Sequence, residues 1–267
     1  MKFLLFGIFI LFALFTPLQS RPARGEDSPP KLLSSPKTVS MSFSLHHSSC
    51  PEKVVQKTSV SYPQWTGSSI VDEELKSLAD TWLDTAKTSA MDILSLESSP
   101  CERFPEYFND ITFEIYAPSK SMTSVLFTDL GYSGGVHGYR LYEAINFFLE
   151  TGEQVELNDL FPEPGKSLPL FYSLIYHDVC REGTGHSTLP HFYGGATCQR
   201  DKKPDAPRDF LARVVSLEDL GNLVLTEKGA MVNIGPHSAW SWAEGAYIFF
   251  IPKEKLVEIG ANPRLWE

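Results

Sequence analysis

The chain has 267 residues, a formal net charge of −10 and four cysteines. An acidic balance of this size excludes the basic footprint that nucleic-acid binding needs. The length allows one or two domains with cores of their own.

Met1 and Lys2 precede FLLFGIFILFALF, an apolar run from Phe3 to Phe15. One positive charge, a run of this length and a polar continuation form the pattern of a secretory signal. The run is short for a bilayer span, which takes about 20 residues. Cleavage is expected after Ser20, with Gly25 as the second candidate point; an uncleaved anchor is the alternative. No other stretch approaches spanning length, so no membrane span is expected in the mature chain. Its placement is expected to be periplasmic or extracellular. Loss of residues 1–20 removes one lysine and no acid, leaving a charge of −11.

Residues 21–37, rich in Pro, Ser and charge, read as a disordered leader. Two α+β subdomains are expected after it, over 38–155 and 156–267. TVSMSFSLHH alternates Val39, Met41, Phe43 and Leu45, a strand signal, and VVQKTSVSYPQW repeats it, with Pro63 expected to end that strand. Asp72 is expected to cap a helix that carries Leu75, Leu78, Ala79, Trp82, Leu83 and Ala86 on one face and runs to about Leu94. ITFEIYAPS and TSVLFTDLGY read as two strands. YRLYEAINFFLETGEQVEL reads as a long strand, a turn at Glu150–Glu153 and a short return strand. Leu168, Phe171, Leu174, Ile175 and Val179 keep helical spacing over 166–182, with Pro169 in the first turn, where proline is tolerated. NLVLTEKGAMVNIG and GAYIFFIPKEKL read as two strands and a short helix. The mixture lacks a strict alternation of strand and helix. It predicts an α+β fold of mixed, mainly antiparallel sheets packed with two main helices.

The cysteines are Cys50, Cys101, Cys180 and Cys198. In an exported chain an even count points to disulfides, and four cysteines allow three connectivities. Pairing of sequence neighbours, Cys50 with Cys101 and Cys180 with Cys198, is the expectation. The second pair would close a loop worth about 3 kcal/mol in the chain-entropy picture.

The motifs that tempt a functional reading mostly fail on their own terms. GYSGGVHGY, Gly131–Tyr139, lacks the G-x-G-x-x-G order and leads into a strand, so no helix N-terminus faces a phosphate. Pro164-Gly165-Lys166-Ser167 imitates the end of a phosphate-binding loop, but Leu160 stands where its first glycine belongs. No cofactor is expected. His46, His47, His137, His177, His186, His191 and His237 are scattered, and no metal-ligand spacing emerges. Ser133 and His137, four residues apart in the glycine loop, form the one imaginable nucleophile–base pair. Asp129 and Glu143 are the acids near them in sequence, and neither has a spacing that marks it as the orienting member.

Two readings of the loop remain open. The glycines turn the chain and define the fold, or they hold Tyr132, His137 and Tyr139 rigidly for recognition of a sugar or protein surface. Gly235–Ala246 has similar chemistry: His237, Trp240 and Trp242 are candidate binding residues, and on an extended chain both tryptophans face one side.

Four segments stand in a familiar order: SVSYPQW before a long helix, SGGVHGY entering a strand, ETGEQVELNDLF before a helix, and LVLTEKGAMVNIGPHSAWSWAEGAYIFFIPKEKL near the end. The set, covering most of 38–258, resembles the RsiV-like family of exported bacterial domains. That family includes the outer part of a lysozyme-sensing anti-sigma factor and domains preceding the catalytic domain of a peptidoglycan deacetylase. His237 replaces a usual tyrosine, Trp240 and Trp242 fall in a stretch usually less aromatic, and the cysteines are not a general family feature. Only two residues precede the apolar run and no deacetylase domain follows, so neither of those activities is expected to carry over. The resemblance implies an exported, noncatalytic α+β binding module, with a cell-wall glycan (a peptidoglycan fragment) or a lysozyme-like protein as partner. A small envelope hydrolase using Ser133 and His137, and a structural envelope protein without a ligand, are the alternatives.

Overall fold

The computed structural model describes residues 36–47, 50–65, 69–96, 106–134, 136–180, 220–235 and 246–267. The fold is α+β, with a mixed five-stranded sheet and a three-stranded antiparallel sheet. The first sheet has the order β1 (Lys37–His47), β2 (Cys50–Gln64), β3 (Tyr107–Ser119), β4 (Met122–Tyr132), β5 (Tyr139–Phe148). In β1 the apolar residues Val39 to Leu45 are half-buried and the serines between them exposed, as the alternation requires.

β2 and β3 run parallel, from Gln56 opposite Tyr107 to Val60 opposite Ile111; the other pairs are antiparallel. A parallel pair needs a crossover, and helix α1 (Ser69–Leu96) supplies it. Its Val71, Leu75, Ala79 and Leu83 are buried against Val60, Tyr62, Ile111, Val125, Phe127 and Phe147 of the sheet. Trp82 meets Phe127 edge-on with centroids 4.9 Å apart. A fully buried leucine such as Leu75 contributes about 2 kcal/mol from the area it hides.

Two local expectations are revised here. Pro63 does not end β2: it pairs with Thr38 inside the strand. β3 follows β2 only as far as Val60, so one edge at Pro63 has no ladder to break. Asp72 is not the cap of α1. The helix starts three residues earlier, and Asp72 Oδ1 instead accepts the backbone N–H of Trp65 at 2.6 Å, tying the end of β2 to the first turn.

The second sheet consists of β6 (Leu223–Thr226), β7 (Gly229–Ile234) and β8 (Tyr247–Pro252). NLVLTEKGAMVNIG is therefore a hairpin turning at Glu227–Lys228, not one strand. Helices α2 (Leu157–Leu160), α3 (Pro164–Cys180) and α4 (Lys253–Glu258) accompany it. Phe161, Phe171, Ile175, Leu256 and Leu265 share its core with Val232, Ile234 and Ile251. α3 begins two residues before the expected start, so Pro169 lies in the second turn.

Asn146, only 3% exposed, joins the sheets. Its Nδ2 donates to Leu223 O at 2.9 Å and its Oδ1 accepts Leu225 N–H at 3.0 Å, so a side chain of β5 takes the place of a strand neighbour for β6. The backbone of Ala144 adds a bond to Gly221 O at 2.6 Å. Both halves of the Asn146 amide are thereby satisfied, which keeps its burial from being costly.

Candidate binding site at the β4–β5 hairpin

The glycine loop is the tip of the β4–β5 hairpin, which closes with Gly131 opposite Tyr139. It turns the chain, and the turn needs its glycines. A Cβ on Gly138 would sit 2.6 Å from Gly131 O, and Gly134 has φ of +98° with the Tyr107 ring 3.2 Å from where a Cβ would be. Only glycine accepts both the close approach and that dihedral without strain.

The register sets two rows of residues across the sheet beneath the loop. One row is Phe43, Thr58, Asn109, Gly131 and Tyr139; the next is Met41, Val60, Ile111, Asp129 and Leu141. Gly131 thus stands between Tyr139 and Asn109. Having no side chain, it lets the Tyr139 ring lie across it; a Cβ there would collide with that ring. The Tyr139 hydroxyl reaches Asn109 Nδ2 and Asp129. Asn109 Nδ2 also approaches Asp129 Oδ1 at 3.4 Å, while Asn109 Oδ1 accepts Gln56 Nε2 at 2.7 Å. Gln56 Nε2 further reaches Thr58 Oγ1 at 3.1 Å. A chain of donors therefore runs from β2 through β3 to the Asp129 carboxylate on β4.

Burial pushes the Asp129 carboxyl up to about 6. The Asn109 bond opposes the rise, the Asp110 charge adds to it, and the Tyr139 bond opposes it. Burial also pushes the Tyr139 phenol well above its usual range, and the Asp129 charge adds to that.

Of the residues expected from sequence, Tyr132 and Tyr139 are half-buried and Ser133 and His137 exposed. Tyr132 stacks on Tyr107 with centroids 6.3 Å apart and planes at 21°. His237, Trp240 and Trp242 lie outside the described residues, as do Cys101 and Cys198. Cys50 is buried and is not a free thiol, and Cys180 closes α3. Asp129, named above only as an acid near Ser133 and His137, is engaged by Asn109 and Tyr139.

Sequence reasoning missed Gln56, Thr58, Asn109 and Tyr107 as members of this site. They meet because β2 and β3 pair in parallel, a choice no local pattern announces. Among the described residues no group of three or more His, Cys, Asp or Glu is placed to hold a metal. Among them, too, no helix is long and apolar enough to cross a membrane.

This arrangement defines a class by architecture: an α+β chain with a crossover helix under a five-stranded sheet and a polar site at one hairpin. Two solved structures share that fold. A DUF3298 family member from Bacteroides fragilis matches with a TM-score of 0.57 at 15% identity, over 89% of this chain and 98% of its own. A DUF3298 family protein from Pseudomonas aeruginosa matches with a TM-score of 0.54 at 14% identity, over 88% of this chain and 99% of its own. No family model matches the chain, and no curated protein does.

Proposed function

We propose that the protein is an exported, noncatalytic binding module whose recognition surface is the β4–β5 hairpin. The observation that carries this reading is how the loop is held. Tyr107 packs under Gly134, Tyr132 stacks on Tyr107, and Tyr139 is bonded through Asn109 to β3. Above this support Val136 is 89% exposed and His137 is exposed. A loop anchored so firmly, with an aliphatic and an imidazole group offered to solvent, loses little entropy on binding. A cell-wall glycan or a lysozyme-like protein is the partner that the family resemblance brings to this surface.

The test is a pull-down of the full chain against purified lysozymes and peptidoglycan fragments. Retention of one of them, lost when Val136 and His137 are both replaced by Ser, is the expected result. Ser133-dependent turnover of an ester or amide substrate would refute the reading.

A further inference from the structure

We propose that the Asp129 carboxylate, at the foot of the β4–β5 hairpin, is the docking point for an organic cation: a guanidinium or ammonium side chain presented by a partner protein. This step rests on the binding-module reading and adds to it the chemistry of the group that is bound.

Three observations converge on Asp129. First, its neighbours hold it in place. Asn109 spends its oxygen on Gln56, so its NH2 turns to Tyr139 and Asp129, and the Tyr139 hydroxyl completes the set. All these groups are neutral donors. They orient the carboxylate without cancelling its charge. Secondly, no cation among the described residues is shown beside it. The ion pairs Lys76–Asp80, Lys87–Asp84, Lys166–Glu163 and Lys255–Glu258 each join close neighbours in sequence, and none reaches Asp129. The charge that does act on it is that of Asp110, which deepens the negative potential. Thirdly, an exposed apolar side chain stands beside it. Leu141, directly opposite Asp129 on β5, is 50% exposed. Apolar surface next to a charge pair strengthens it by excluding water on that side.

The chemistry of the site narrows the occupant. One carboxylate among neutral amides and a phenol is too few oxygen ligands for calcium, which takes six to eight, and among the described residues no group of three or more His, Cys, Asp or Glu is placed to hold a metal. A neutral glycan could satisfy hydrogen bonds but would leave the charge uncompensated. A guanidinium or ammonium compensates it, and the chain's net charge of −10 favours approach of a basic protein.

The full chain, labelled with nitrogen-15, would be titrated with Nα-acetyl-arginine methylamide while the Asn109 side-chain amide resonance is followed. A saturable shift is expected. Asp129→Asn, close in shape to the original, should weaken binding about tenfold or more. Asp84→Asn, which removes an exposed acid on α1, should leave it unchanged. Absence of a saturable shift, or equal weakening by both variants, overturns the proposal. So does a response to neutral N-acetylglucosamine oligomers in place of the guanidinium. A pull-down partner retained at full strength by Asp129→Asn would also sink the cation site, while leaving the binding-module reading intact.

Discussion

One face of the five-stranded sheet is built twice, differently. Along β3 and β4, Ile111, Phe113, Val125 and Phe127 form an apolar surface, closed by Leu75 and Trp82 of α1. Further along the same strands the row holds Thr58, Asn109 and Tyr139, with Asp129 in the row beside it. At the apolar end each residue is explained by burial. At the polar end a carboxyl is kept where burial opposes its charge, which is not what stability alone would select. Departures of that kind mark places where a sequence serves something besides folding.

The sharpest way to break the comparison is at the apolar end. Phe127→Ala removes a fully buried ring that Trp82 and Phe113 both touch. A loss of about 3–5 kcal/mol is expected, read as a lower denaturant midpoint with an unchanged slope. A loss no larger than that of a surface change would show that α1 does not seal this face as described.

How far the two ends could be read in advance differs for a physical reason. The alternation of Val39, Met41, Phe43 and Leu45 is local, and so is the stripe from Leu75 to Leu83. Each reports its own element because burial acts residue by residue on a periodic surface. The β4–β5 hairpin is local too, and Tyr132, His137 and Tyr139 could be placed on it. The polar site is not local: Gln56, Asn109 and Asp129 come from three strands, and their meeting depends on the parallel register of β2 with β3. The crossover through α1 sets that register, and neither strand's pattern encodes it. Local rules failed in smaller ways at Pro63 and Pro169, where the surrounding ladder or helix turn decided whether proline could be accommodated.

A milder perturbation tests the seam between loop and polar row. Gly131→Ala puts a methyl where the Tyr139 ring lies, so the ring must leave Asn109 or the strands must shift. Overpacking of this kind costs about 1–3 kcal/mol. Ser133→Ala, two residues on and exposed, should stay within about 0.5 kcal/mol of the parent. The Asn109 side-chain amide resonance should move in the first variant and not in the second. Equal stability of both variants would mean that the Tyr139 ring does not need the space left by Gly131.

The smallest expected effect is the one most specific to the polar end. Asp129 has a folded-state value of about 6, above the ordinary 3.8. Folding therefore favours its protonated form. The stability this contributes is fully present below about pH 3.8 and is lost as pH rises through about 6. Asp129→Asn has no such proton to release, so the variant should gain on the parent across that window and hold a constant advantage above it. The advantage should be about 1 kcal/mol, less than the full shift would give, because the carboxylate is only partly buried and water screens it. Chemical denaturation at pH 4, 5, 6 and 7.5 reads the difference directly. A parent that instead gains on the variant as pH rises would mean that the bonds from Asn109 and Tyr139 outweigh burial. Asp129 would then be a stabilising anion already satisfied by its own chain, with no charge left for a partner to compensate.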